Sequence, residues 1–222
     1  MIFRITAPIL LLLVVALAHP LGVRADEGSL ITPAHRLTGP AITAAAATLV
    51  TPPIIRAGFR EEKKIKGFAR PVTSEGRFVF ARELGAAWVT TSPVASVSTV
   101  SPAGIFHQDA GGSAVTLRPA THPAIRIYTE VFLALFSGQL ELLEDTFTIY
   151  YAPGPRWRLG LVPHRPKILP AITLEGARYA ESLTLTDPAG DTTLLTFRNQ
   201  ETPHQLTPEE TALFNGRAGD AP

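Results

Sequence analysis

The chain has 222 residues, 20 Lys and Arg against 19 Asp and Glu, a formal net charge of +1, and no cysteine. Near-neutral charge without a long basic block excludes nucleic acid as the expected partner. The missing cysteines exclude disulfides, thiol catalysis and thiolate metal sites. With 20 prolines, 17 glycines and 45% apolar residues, the composition fits one domain with a real core built from short strands and turns.

Arg4 precedes the apolar run Ile5 to Leu17, and Val23-Arg24-Ala25 places small residues at the two positions a secretory signal peptidase reads. Residues 1–25 are therefore read as a signal peptide cleaved before Asp26, which implies a periplasmic protein in a Gram-negative source. A membrane anchor is the alternative, but the run is shorter than the ~20 residues of a span and His19-Pro20 interrupts it. Without cysteine the N-terminus cannot be lipid-modified.

Residues 26–40 are polar and aperiodic and read as a flexible leader. A single folded domain is expected over 41–215, with a disordered tail at 216–222. Ala41 to Val50 predicts a short helix that Pro52-Pro53 stops. From Ile54 the pattern becomes a half-buried strand, with Ile55, Ala57 and Phe59 set against Arg56 and Arg60. The run Arg60-Glu61-Glu62-Lys63-Lys64 is read as a solvated strand end that discourages edge pairing; a binding patch is the alternative. Pro71 to Gly76 reads as a turn. After it, Phe78, Phe80 and Arg82 share one strand parity, so two rings and a guanidinium are expected on one face. A cation there needs a partner or the mouth of a cavity. Further strands are expected at Val94 to Val100 and Ile105-Phe106, with a flexible loop over Asp109 to Ser113.

Ile125, Tyr128, Val131, Phe132, Leu135 and Phe136 fall at helical spacing and Ser137-Gly138 ends the run, which predicts the main helix. It is either a core helix or the cover of an apolar cavity. Alternating strands follow at Phe147, Ile149 and Tyr151 and at Trp157, Leu159 and Leu161, then near Ile172 and Leu174, and again at Leu183 to Phe197 around an Asp187-Pro188-Ala189-Gly190 turn. Thr207-Pro208-Glu209-Glu210 is a capping box that predicts a last helix over Pro208 to Asn215. Many antiparallel strands with helices on one side make a curved or partly closed sheet.

No nucleophile elbow, His-Glu-x-x-His helix or phosphate loop is present. His35, His107, His122, His164 and His204 are scattered and read as solvent-facing loop residues. The reading is non-enzymatic, with no catalytic residue, no metal and no cofactor. Abundant aromatic and aliphatic strand surface instead suggests a ligand cavity. An acyl chain of ~16 carbons gains roughly 12 kcal/mol from being shielded, and such shielding requires no polar constellation.

The block from Phe59 to Phe106 resembles the LolA family of periplasmic outer-membrane lipoprotein carriers: Phe59 with a polar residue two positions on, Gly76 opening a strand, Arg82, Trp88, Pro93 and the Gly104 turn. A LolA-like subgroup is similar at Lys66-Gly67-Phe68, Pro71, Ser74 to Phe80, Leu135-Phe136-Ser137-Gly138, Trp157-Arg158-Leu159 and Gly190-Asp191-Thr192. The chain departs from the family pattern at Glu83 and Glu61, where a proline and a glutamine are usual, and at Ala103-Gly104. The resemblance implies an α+β fold, an unclosed antiparallel β-barrel with a helical lid over an apolar cavity. It implies a monomeric periplasmic carrier of an acylated lipoprotein or another envelope lipid, loaded by an inner-membrane ABC transporter and unloaded to an outer-membrane receptor. On that basis Phe59, Phe78, Phe80, Trp88, Tyr128, Phe132, Phe136, Phe147, Ile149, Trp157 and Leu159 are the expected cavity residues, and Arg82 the lid latch. The competing expectations are an envelope hydrolase or transferase, and a static β-scaffold whose inner face is filled by its own side chains.

Overall fold

Every second residue from Ile55 through Ala57 and Phe59 to Glu61 is buried, and the residues between them are not. One face of an extended segment therefore belongs to a core, and that alternation, repeated strand after strand, generates the fold. The computed structural model describes residues 30–166 and 169–215; the expected signal peptide and C-terminal tail lie outside them. In chain order the strands are β1 (Arg36–Leu37), β2 (Ile54–Lys64), β3 (Val72–Ala81), β4 (Gly85–Ser92), β5 (Ser96–Ser101), β6 (Gly104–Asp109), β7 (Ala114–Leu117), β8 (Phe147–Ala152), β9 (Trp157–Pro163), β10 (Ala171–Gly176), β11 (Ala180–Thr186) and β12 (Thr192–Glu201). The helices are α1 (Pro40–Ala46), α2 (Pro123–Ser137) and α3 (Pro208–Asn215).

All twelve strands join one antiparallel sheet in the order β1-β8-β9-β10-β11-β12-β2-β3-β4-β5-β6-β7. The two ends, β1 and β7, do not pair with each other, so the barrel is unclosed, as expected. Register carries one face across the whole sheet. Tyr151, Leu159, Leu174, Leu183, Leu195, Glu61 and Ser74 succeed one another from β8 to β3. Ala57, Phe78, Trp88, Ser98 and His107 do the same from β2 to β6. This inner face carries the hydrophobic core, and α2 packs onto it.

At the centre of the sheet the outer face is covered as well. Arg56, Val79, Ala87 and Thr99 form the outward row, and α3 lies over it: Thr99 Oγ1 donates to the Leu213 carbonyl at 3.3 Å, and Arg56 forks onto the Glu210 carboxylate, with Nη2 to Oε2 at 2.7 Å. The capping box that the sequence announces does form. The Glu210 N–H reaches Thr207 Oγ1 at 3.2 Å and the Thr207 N–H reaches Glu210 Oε2 at 2.8 Å. One carboxylate thus both caps α3 and fastens it to β2.

Four expectations need correction. The leader reading does not hold for residues 30–40, because Leu30 is buried against Gly160, and β1 pairs with β8. The charged run Arg60 to Lys64 does not guard an edge; β2 is hydrogen-bonded on both sides, to β12 and β3. Residues 72–76 are strand rather than turn, since the ladder with β2 runs to Val72. Arg82 does not continue the parity of Phe78 and Phe80. The strand ends at Ala81, where the Leu84 N–H turns back to the Ala81 carbonyl, and Arg82 is exposed.

Candidate functional site

The inner face is aromatic where α2 meets it. Extended backbone points Phe78 and Phe80 of β3 and Trp88 of β4 the same way, and Phe197 of β12 joins them. The helical period places Phe132 and Phe136 four residues apart on one side of α2. Phe136 is the hub. Its ring lies 5.5 Å from Phe78, 5.6 Å from Phe80, 5.9 Å from Phe197 and 4.5 Å from Phe132, which in turn lies 5.1 Å from Trp88. Phe78 also meets Trp88 at 5.1 Å and Phe197 at 4.8 Å. Tilted and edge contacts at these separations each contribute about 0.5–1.5 kcal/mol beyond burial.

All eleven expected cavity residues fall in this one cluster. Phe59, Phe78, Phe80, Trp88, Phe147, Ile149, Trp157 and Leu159 are buried on the sheet side, and Phe136 is buried on α2, with Tyr128 and Phe132 half-buried beside it. Burial holds the Tyr128 phenol above its ordinary pKa. In this conformation Phe132 and Phe136 of α2 pack directly on Phe78, Phe80 and Trp88 of the sheet. A small hollow of about 110 Å³ lies elsewhere, between β5, β6 and α3, lined by Thr99, Phe106, Arg118, Leu213 and Phe214 among others. That is well below the ~300 Å³ at which pockets hold a drug-sized ligand.

Arg82 reaches the linker between α1 and β2. Its guanidinium donates to the Thr51 carbonyl and, at 3.4 Å, to Thr51 Oγ1, and its backbone N–H donates to the Pro53 carbonyl at 2.9 Å. Thr51 in turn abuts Gly138, the left-handed residue (φ 73°) that closes α2. A Cβ on Gly138 would stand 2.8 Å from Thr51 Cγ2, closer than two carbons pack. Arg82 is therefore connected to the end of α2 through Thr51.

Two polar features of the inner face escaped the sequence reading. Ser98 and His107 are both buried and face each other across β5 and β6, with Oγ and Nδ1 2.8 Å apart. Burial lowers the imidazole pKa, with Asp109 opposing it. The signal was present: His107 shares its parity with Ile105 in a strand. The second feature is Glu61, opposite Ser74. Both are buried, and neither Glu61 Oε1 nor Ser74 Oγ meets a hydrogen-bonding protein group among the described residues. Desolvation pushes the Glu61 carboxyl up to about 7, against a smaller opposing pull from Lys63. Among the described residues no group of three or more His, Asp or Glu is placed to hold a metal.

The fold and this site define a class: an unclosed antiparallel sheet whose inner face packs against an apolar helix, with Ile42, Ala45, Leu140 and Leu143 completing the same core. The structure is similar to a LolA superfamily protein from Nitrosomonas europaea (8% identity, TM-score 0.46, 78% of this chain and 96% of that one). It is also similar to a domain from Vibrio parahaemolyticus named for outer membrane lipoprotein sorting (10%, TM-score 0.47, 80% and 96%). A third similar structure is that of the Pseudomonas aeruginosa MucA/MucB complex (11%, TM-score 0.42, 69% of this chain and 54% of that one). No protein-family profile and no curated protein matches the sequence.

Proposed function

We propose that this protein is a non-enzymatic carrier in the periplasm that shields the acyl chains of a lipoprotein, or of a related envelope lipid, between the inner sheet face and α2. The observation that supports this reading is the seam itself. α2 is held to the sheet by aromatic and aliphatic side chains, which are the groups an acyl chain satisfies equally well. Moving α2 aside exchanges protein hydrocarbon for ligand hydrocarbon, so the uptake of a chain offsets most of the cost of opening. Arg82 is the latch in this reading, and it acts at a distance: its bonds to Thr51 fix the linker against which Gly138 and the end of α2 rest. Loading by an inner-membrane transporter and delivery to an outer-membrane receptor belong to the same proposal.

The test is mass spectrometry of lipid retained by protein purified from its own periplasm without detergent, together with uptake of a hydrophobic fluorescent probe. Bound acylated material and competition for the probe are expected; a lipid-free protein that also ignores the probe would sink the proposal. Arg82→Leu is expected to fold and to take up cargo, with release altered several-fold; wild-type transfer kinetics in that variant would remove the latch. The packing of Phe132 and Phe136 onto Phe78, Phe80 and Trp88 also favours a second reading, a static scaffold whose face is permanently filled. The same probe experiment separates the two, because a static core has no room for the probe.

A further inference from the structure

The two most exposed large apolar side chains among the described residues are Leu142, 67% exposed, and Phe68, 62% exposed. Their surroundings have opposite charge. Leu142 is flanked by Glu141, Glu144 and Asp145. Phe68 stands at the tip of the β2–β3 turn, in the run Lys63-Lys64-Ile65-Lys66-Gly67-Phe68-Ala69-Arg70-Pro71-Val72, which has four cations and no acid.

The turn is built, not slack. The Phe68 N–H donates to the Ile65 carbonyl at 3.0 Å, across Gly67 at φ 90°, a conformation side-chain-bearing residues rarely adopt. At its base the Lys66 N–H donates to Asp191 Oδ1 at 2.8 Å, which ties the turn to the one between β11 and β12. Beyond that brace, Lys64, Lys66, Phe68, Arg70 and Val72 are all exposed. The acids facing the turn are few. Asp191 is the brace, Asp187 accepts the N–H groups of Ala189 and Asp191, and Glu62 is paired with Arg60 at 2.9 Å.

We propose that this turn is a membrane-docking tip, in which Phe68 enters the interfacial layer of an anionic bilayer while Lys64, Lys66 and Arg70 contact its phosphates. A single ring on a projecting turn is the wrong shape for a protein interface, which needs a broad complementary surface of ~800 Å² on each partner. It is the right shape for a lipid surface, which yields around it, and long basic side chains keep their charge at the headgroups while their stems follow the ring inward. The proposal stands on the turn alone and does not depend on what the inner face carries.

The test is co-sedimentation of the chain from Asp26 onward with phosphatidylcholine vesicles, with and without phosphatidylglycerol. Every buried apolar residue among the described ones lies between Leu30 and Phe197, so this chain retains the whole core. Binding is expected only to the mixed vesicles and should fall with added salt. Phe68→Ser, and separately Lys66→Glu with Arg70→Glu, should weaken it about tenfold or more. Leu142→Ser should leave it unchanged. Thermal melts of the variants, all altered at exposed positions, confirm the fold. No binding to the mixed vesicles, equal binding to neutral ones, or wild-type binding by Phe68→Ser would each overturn the proposal.

Discussion

The middle of the sheet and its β10–β11 flank are built from the same antiparallel ladder but are covered differently. At β3 and β4, α2 lies on the inner face and α3 on the outer, so Phe78, Val79, Phe80 and Ala81 are buried in succession, as are Gly85 to Trp88. At β10 the pattern is strict alternation, with Ile172, Leu174 and Gly176 buried and their neighbours only half-buried. A twice-covered strand loses its period-2 signature and reads as a continuous apolar run, whereas a once-covered strand keeps it. The centre is thus a three-layer region and the flank a two-layer one, within a single sheet.

The difference can be broken or sharpened by substitution. The largest effect is expected at Phe78→Ala, which removes a fully buried ring that meets Trp88, Phe136 and Phe197; a loss of about 3–5 kcal/mol should appear in urea denaturation. Glu61→Gln acts in the opposite direction. Its carboxyl is raised from the ordinary value to about 7 in the folded protein, so the native state holds a proton that the unfolded chain releases. Stability is therefore highest below the unfolded pKa and falls as pH rises to about 7. Glutamine should flatten that slope and stabilise the protein at pH 8 by about 2–3 kcal/mol while leaving pH 4 nearly unchanged. Equal pH profiles for the two proteins would show that Glu61 is not desolvated.

The outer faces give the direct contrast. Val79→Ala, under α3, is expected to cost about 1–2 kcal/mol, while Thr184→Ala, outward on β11, should stay within about 0.5 kcal/mol. Similar costs at both positions would mean that the flank too is covered from outside. Arg56→Leu should cost about 1 kcal/mol and reduce the acid sensitivity of unfolding. The hydrogen bond from Arg56 is the main influence holding Glu210 below the usual carboxylate range, so its stabilisation is present at neutral pH and is lost as pH falls through the folded pKa.

What the sequence made legible follows the same division. Strands β8 and β9 and helix α2 announce themselves by period, and α3 by its capping box, so all four lie where the pattern puts them. β7 was missed because Ala114 to Val115 and Thr116 are all exposed, leaving no alternation to read, and β1 is only two residues long. The eleven residues expected on the cavity wall do converge, because strand parity and helical period fix direction even when partners are unknown. Position along the strand was harder to read. Arg82 lies one residue past the end of β3, so parity ceased to apply, and Glu61 was read with its charged neighbours although it continues the Ile55, Ala57, Phe59 alternation. Ser98 and His107 required the β5–β6 register, which a list of scattered histidines does not contain.

The pairing of β12 with β2 has a consequence for the order of folding. Thr192 sits opposite Lys64, so strands 128 residues apart in the chain (192 − 64) close the middle of the sheet. β2 and β3 can form as a local hairpin early, but the other side of β2 must wait for the last strand, and such distant closures are slow. During that interval Arg60 to Lys64 form an open edge, and their charges are what discourages a neighbouring molecule from pairing there first. A segment central in the finished protein is thus, for most of its assembly, a rim.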